Sequence, residues 1–299
     1  MNIGLVYAGG ISKCAYQIGF TQALLRYVPY SNIKVLAGAS MGLFTAYAVA
    51  ADKLDVLQDI YEQVNVSHAV NLFRQVCFKN LLNRAMNSFF TLNDCLQIPV
   101  CFPITYIPLL STHYFWIHGK YNPFWKEHFR AAANFPVICG LPKTLNHRWA
   151  TDGGAVDNIP LYPVLAHPEE YSTPTEKLDM IIVLHFHARF DYRKEFRTDV
   201  PILDIDVSIC NNFKKRHFDF SKEYIQEMIL SSREYGNQIG QKFFSTPLSK
   251  DEIIGQINEV FLAEHQERQW HESADSLLTV LNTVGKTLRD DYKCSKRLY

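Results

Sequence analysis

Apolar residues in this chain come first as short unbroken runs that end on glycine turns, and later as stripes spaced three and four apart. Ile3–Tyr7 is the first run and stops near Gly9-Gly10, and the segment Cys14–Tyr27 that follows sets Ala15, Ile18, Ala23 and Leu24 at helical spacing. Ile33–Ala37 is a second run. It meets the turn Gly38-Ala39-Ser40-Met41-Gly42 and gives way to Leu43–Ala51, small and apolar like a buried helix. Strand, turn and helix, twice in succession, predict an α/β fold with parallel strands. Further helices are expected over Lys53–Val64, His68–Phe90 and Phe124–Ala133, and strands over Val100–Ile107, His113–His118, Leu178–His185 and Leu203–Val207. The run Met180–Leu184 is uncharged, as in a strand buried on both faces.

The last third changes character. Ile225, Met228, Ile229, Ile239 and Phe243 form one helical stripe within Ser221–Phe244, and Ser249-Lys-Asp-Glu252 is a capping box that opens a helix through Ile253, Ile257, Val260 and Phe261. Leu277, Leu278, Leu281, Val284 and Leu288 form a third stripe. The expected division is an α/β domain over residues 1–210 with a helical C-terminal extension over 211–299 packed on it. Residues 95–119 contain no Asp, Glu, Lys or Arg, a length that spans a bilayer. Pro99, Pro103 and Pro108, two histidines and many β-formers make buried strands the better reading.

Composition narrows the function. Thirty Lys+Arg balance thirty Asp+Glu over 299 residues, so no basic excess points to nucleic acid. With 47% hydrophobic residues, 20 Phe and 16 Tyr, the chain is globular and rich in core material. Its seven cysteines (Cys14, Cys77, Cys95, Cys101, Cys139, Cys210 and Cys294) are scattered, odd in number and lack metal-ligand spacing. They read as reduced thiols without the spacing of a metal site. The N-terminus lacks the charged and apolar regions of a secretory signal, and the cytoplasm is the expected compartment.

Three turns carry candidate chemistry. Gly38-Ala39-Ser40-Met41-Gly42 fits G-x-S-x-G, a pattern that exposes a serine at the tip of a strand-to-helix turn, with glycines preventing clashes on either side. A serine that merely caps the following helix fits the same residues. Only one strand precedes the serine's own strand, a poor fit to the α/β-hydrolase order. Gly9-Gly10 opens the first helix with backbone N–H groups that could bind phosphate or an oxyanion. Neither G-x-G-x-x-G nor the Gly-Lys-Ser/Thr ending of a P-loop is present, and Ile11-Ser12-Lys13-Cys14 follows instead. Thr151-Asp152-Gly153-Gly154 is either a β-turn or a carboxylate on a loop that glycine lets approach another loop; such a carboxylate can take a serine proton directly.

The three turns in this order resemble the patatin-like phospholipase family. Asp152-Gly-Gly-Ala-Val-Asp-Asn-Ile-Pro160 is similar to the family's D-G-G block, and Ala131-Ala-Ala-Asn-Phe-Pro136 resembles the segment before it. The resemblance covers roughly residues 1–185. It implies a three-layer α/β/α sandwich with a mostly parallel central sheet, and lipid acyl-ester hydrolysis through an acyl-enzyme without a cofactor. By the same resemblance Ser40 is the nucleophile, Asp152 its general base, and Gly9, Gly10 and Ile11 the oxyanion hole. Lys13, Gly38, Gly42, Gly153 and Gly154 support the motifs. Where the family has glycine, this chain has Ile11 and Cys14. A β-branched residue resists positive φ, so a reshaped hole is expected.

Two function classes follow. One is a serine lipid acyl hydrolase of the phospholipase or lysophospholipase kind, meeting its acyl-ester substrate in peripheral contact with a membrane or micelle. The other is a catalytically impaired lipid-binding or regulatory protein on the same scaffold. His185 and His187 flank Phe186 at a strand end and could assist the serine; a structural role fits them better. Aromatic residues between Phe73 and Phe129 could line an acyl pocket, though ordinary core is the simpler reading. Lys214-Lys215-Arg216-His217 and the basic tail 293–297 read as solvated surface.

Overall fold

The computed structural model describes residues 1–63, 83, 86–108, 110–134, 143–145, 147–166, 177–186, 198–211 and 219–270. Four parallel pairings build the centre of an eight-stranded sheet. β1 (Ile3–Tyr7) pairs with β2 (Ile33–Gly38) on one side and β7 (Met180–His185) on the other; β2 goes on to β3 (Cys95–Ile107), and β7 to β8 (Ile202–Asp206). The remaining strands are antiparallel: β4 (Ser111–Lys120) on β3, β6 (Arg148–Asp152) on β3, and β5 (Lys143–Leu145) on β6. β1 and β7 are buried along their whole length, which their uncharged runs require.

Helices cover both faces. Side chains alternate along β1, so Tyr7 and Gly4 point to opposite sides. Tyr7 Oη lies 3.2 Å from Thr21 Oγ1 of α1 (Cys14–Leu24), while a Cβ at Gly4 would lie 3.2 Å from Val164 of α5 (Tyr162–Ala166). α2 (Gly42–Ala50), α3 (Leu54–Gln63) and α4 (Phe124–Ala132) complete the α/β part. Phe129 of α4 meets Phe44, Tyr47, Phe90 and Phe102 with ring centroids 4.9–5.7 Å apart. These rings are core.

The uncharged stretch 95–119 is the β3–β4 hairpin. No helix among the described residues is long and apolar enough to cross a membrane. β3 starts five residues before the expected Val100, because Cys95 and Leu96 already pair with β4. The expected helix at 68–90, the stripe from Leu277, His187, and both basic clusters lie wholly or largely outside the described residues.

Toward the C-terminus, α6 (Lys222–Phe244) lies on α1 at backbone contact distance, and residues 250–270 form a further helix, α7. Ser249 and Glu252 make the reciprocal capping box, Ser249 N–H donating to Glu252 Oε2 at 2.8 Å and Glu252 N–H to Ser249 Oγ at 3.3 Å. Glycine makes the α1–α6 approach possible. A Cβ at Gly19 would lie 2.0 Å from the Ile229 carbonyl oxygen, and one at Gly236 2.4 Å from that of Phe20, whereas Gly255 on α7 faces open space. Gly19→Ala is therefore expected to destabilise the fold by about 1–3 kcal/mol through overpacking. Gly255→Ala is expected to stabilise it by up to about 1 kcal/mol through helix propensity. Urea unfolding of the two variants against wild type measures both signs.

Candidate active site

Sheet register brings the candidate residues together. Along β3 one edge is taken by β4 throughout, from Val100↔Ile117 to Tyr106↔Ser111. β2 and β6 must therefore share the other edge. β2 holds its lower part, through Leu36↔Val100 and Ala37↔Cys101, and β6 its upper part, ending at Ile104↔Asp152. Ser40 is three residues past Ala37, and Ile104 three past Cys101, so the serine leaves β2 level with the point where Asp152 ends β6.

Ser40 Oγ donates to Asp152 Oδ2 at 2.6 Å, and Gly154 N–H donates to Asp152 Oδ1 at 2.7 Å. No imidazole intervenes. The elbow that carries Ser40 is tight: Gly42 N–H reaches the Ala39 carbonyl at 2.8 Å, and Ser40 itself sits at φ +52°. A non-glycine residue in this region is strained, a common feature of a presented nucleophile. Cβ atoms at Gly38 and Gly42 would each lie 2.5 Å from backbone oxygen, of Gly42 in the first case and of Ala8 and Tyr7 in the second. Asp152 is held from behind, since Asn134 of the alanine-rich segment accepts Asp152 N–H (3.2 Å) and Thr151 Oγ1 (2.8 Å) on its carbonyl.

The glycine loop lies beside this pair. A Cβ at Gly9 would lie 2.8 Å from Ser40 Cβ and 2.5 Å from Asn158 Oδ1. Gly9 N–H donates to the Asn158 carbonyl at 3.3 Å, and Asn158 Nδ2 donates to the Gly9 carbonyl at 3.1 Å. Gly9 N–H is thus turned onto the Asp152 loop, which removes it from an oxyanion hole in this conformation. Phe186 packs on Gly10, where a Cβ would lie 2.2 Å from the ring, and Lys13 Nζ stands 5.9 Å from the centroid of the same ring. Ile11 adopts φ +54°, the conformation expected to be resisted by its branched side chain. The buried Tyr61 hydroxyl donates to the Ile11 carbonyl at 3.0 Å and pins it there. Burial pushes the Cys14 thiol well above its usual range, so Cys14 is an inert core group.

His185 is not joined to this pair. Its Nε2 lies 2.6 Å from Asp204 Oδ1 of β8, and that carboxylate, against the burial that opposes it, raises the imidazole's proton affinity. Asn158 and Tyr61 are the two positioning residues that sequence reasoning passed over. Asn158 sits within the Asp157-Asn158-Ile159-Pro160 tail, so its place in the motif was visible though its bonds were not.

These elements match a known family. The sequence model described as patatin-like phospholipase matches residues 5–165, more than half of the chain. The chain belongs to the patatin-like phospholipase family. Patatin-like phospholipases hydrolyse lipid acyl esters, and the match spans all three glycine turns. The chain is also similar to VipD from Legionella pneumophila, at 12% identity over 94% of this chain and 76% of that chain, with a TM-score of 0.40. No curated protein matches in sequence.

Within this patatin-like domain Asp152 makes stability depend on pH. Burial without a cationic neighbour raises its carboxyl to about 7, against the lowering effect of the Ser40 and Gly154 hydrogen bonds. The folded state thus holds a proton that the unfolded chain, near 3.8, releases. The resulting stability is full at acid pH and is lost as pH rises through about 7. Asp152→Asn keeps an acceptor for Gly154 N–H and cannot ionise. It is expected to raise the melting temperature more at pH 8 than at pH 5. Equal shifts at the two pH values would mean that the carboxylate is not destabilised in the fold.

Proposed function

We propose that the protein is a serine lipid acyl hydrolase, a phospholipase- or lysophospholipase-like esterase working through a Ser40–Asp152 dyad. The observation that carries this reading is the 2.6 Å hydrogen bond from Ser40 Oγ to a buried carboxylate poised near neutrality. Asp152 accepts the Ser40 proton as Oγ attacks the ester carbonyl, and the protonated Asp152 gives that proton to the departing alkoxide. Water then attacks the acyl-enzyme, with Asp152 taking its proton and returning one to Ser40 as the fatty acid leaves. The positive end of α2 directly behind Ser40 favours the developing oxyanion. We assign its hydrogen bonds to the N–H groups of Gly10 and Ile11, joined by Gly9 only if its bond to Asn158 opens on substrate binding. Neither a metal nor an organic cofactor enters the scheme.

Substrate is met in peripheral contact with a lipid surface. Leu110 and Trp149, both mostly exposed on the end of the sheet beyond the dyad, suit that contact. The cytoplasm is the compartment we infer, consistent with free thiols at Cys14, Cys95, Cys101 and Cys210.

A long-chain fluorophosphonate tests the dyad. Intact mass is expected to show one adduct on wild type and none on Ser40→Ala, with turnover falling as pH drops below about 7. Adduct on a folded Ser40→Ala would overturn the mechanism. Asn158→Ala, which releases the Gly9 carbonyl, is expected to slow acylation by about tenfold to a hundredfold through misplacement of the loop.

The impaired-scaffold alternative rests on Ile11 and Cys14, and Ile11 separates the two readings. Its backbone already occupies the left-handed region that glycine favours. Ile11→Gly is therefore expected to change kcat by less than about tenfold. A gain on the order of the 100- to 1000-fold worth of an oxyanion donor would instead favour a decayed enzyme.

A further inference from the structure

Two hairpins overshoot the dyad at the same end of the sheet. β3 is level with Asp152 at Ile104 and runs on to Ile107, about 10 Å further at the usual strand rise. It then turns through Pro108 and Leu110 into β4. β5 and β6 rise beside it, with Trp149 opposite Ile107 on one side and opposite Thr144 on the other, and their turn at His147 lies beyond. Leu110 comes just before the Tyr106↔Ser111 pair, so Leu110 and Trp149 flank the end of β3 from its two edges. They are 60% and 63% exposed, and neither is held by the core.

The same segments carry cations and no carboxylate. Residues 95–119 contain no charged residue, and residues 143–151 contain Lys143 and Arg148 but neither Asp nor Glu. Lys143, His147 and Arg148 are all exposed. The Arg148 guanidinium stands 5.9 Å from the centroid of the Tyr106 ring, which keeps that cation against the end of β3. The two carboxylates of the adjoining loop face inward instead. Asp152 accepts Ser40 Oγ at 2.6 Å, and Asp157 accepts the Tyr114 hydroxyl at 2.7 Å. In a chain whose thirty acidic and thirty basic residues balance, these two tips are therefore locally basic and apolar at once.

We propose that the paired hairpin tips form a docking surface for an anionic lipid bilayer. Trp149 and Leu110 enter the boundary between head groups and acyl chains, where an indole with one apolar and one wet side is most stable. Lys143 and Arg148 meet the negative head groups, and each adds an attraction that a zwitterionic leaflet does not supply. The inference rests on the reading of the substrate as a lipid ester met at a surface. It deepens that reading by naming the charge of the surface and the segments that meet it.

Ser40→Ala protein, which keeps both hairpins and consumes no ester, is sedimented with sucrose-loaded vesicles. These are dioleoylphosphatidylcholine, alone or with about one third dioleoylphosphatidylserine, and partitioning is expected to be about tenfold or more stronger on the serine-lipid vesicles. Lys143→Glu/Arg148→Glu is expected to abolish that difference and to leave binding to phosphatidylcholine alone unchanged. Location is read from Trp149 itself. Dibrominated phosphatidylcholine in the anionic vesicles is expected to quench tryptophan emission of the bound protein, and Trp149→Phe, which keeps an apolar ring at the tip, is expected to bind without that quenching. Quenching that persists in Trp149→Phe would place the contact at another tryptophan, such as the exposed Trp270, and overturn the proposal. So would equal partitioning to the two kinds of vesicle, no partitioning to either, or undiminished affinity in the folded charge-reversed variant. The fluorophosphonate adduct on wild type scores the hydrolase reading separately. An adduct without vesicle binding sinks this inference alone, and vesicle binding without an adduct sinks that reading alone.

Discussion

One strand, β3, sets the geometry on which the rest depends, because two other strands meet end to end along a single edge of it. β2 runs up that edge as far as Ala37, and β6 comes down it as far as Asp152. A serine leaving the first and a carboxylate closing the second are then brought to 2.6 Å without any long side chain reaching across. Backbone has to approach backbone for this to work. The glycines at 38, 42, 153 and 154 stand where a Cβ would fall between 2.1 and 2.7 Å from a neighbouring oxygen. Gly38, Gly42 and Gly153 meet backbone and are steric requirements of the junction, whereas Gly154 meets the side-chain oxygen of Asn158.

Holding that junction is costly. Ser40 and Ile11 both occupy left-handed torsions, each a strain on the order of 1–3 kcal/mol. Asp152 is buried without a cation, so its ionised form opposes folding at neutral pH. The compensation lies away from the chemistry, in the fully buried strands β1 and β7 and the aromatic cluster around Phe129. On the hydrolase reading, the site is the part of the domain whose stability is given up for reactivity.

Much of this was legible in the amino-acid pattern, and the exceptions have physical reasons. β1, β2 and β7 are uncharged or nearly so because both faces are covered, and such runs stand out. β5 and β6 did not, since Lys143, Thr144, Arg148 and Trp149 are exposed near the edge of the sheet and break any apolar run. The three glycine turns could be read in order, yet their mutual distances come from the β3 register, which no local pattern encodes. Ile11 shows the limit most clearly. Its branched side chain argues against positive φ, and a hydrogen bond from Tyr61, fifty residues away, overrides that preference. His185 shows a reading that needed the structure only for its partner: a structural role already fitted it better than catalysis, and Asp204 on the adjoining strand is the group that holds it.

The C-terminal helices belong to the same mechanical unit as the glycine loop. Lys13 closes the loop by donating its N–H to the Gly10 carbonyl at 3.0 Å, and the chain passes directly into α1. α1 is pressed on α6 at Gly19 and Gly236, with Phe20 and Tyr235 ring to edge at 5.9 Å. The Tyr235 hydroxyl donates to Glu264 of α7, and Arg268, one turn further along, pairs with Asp206 at the end of β8. β8 pairs with β7, and Phe186, immediately after β7, rests on Gly10 where the circuit began. Every link of this ring is buried or half-buried. The ring ends at Gly10, the position to which we assign an oxyanion donor, so the C-terminal helices pack, contact by contact, onto the loop that presents it.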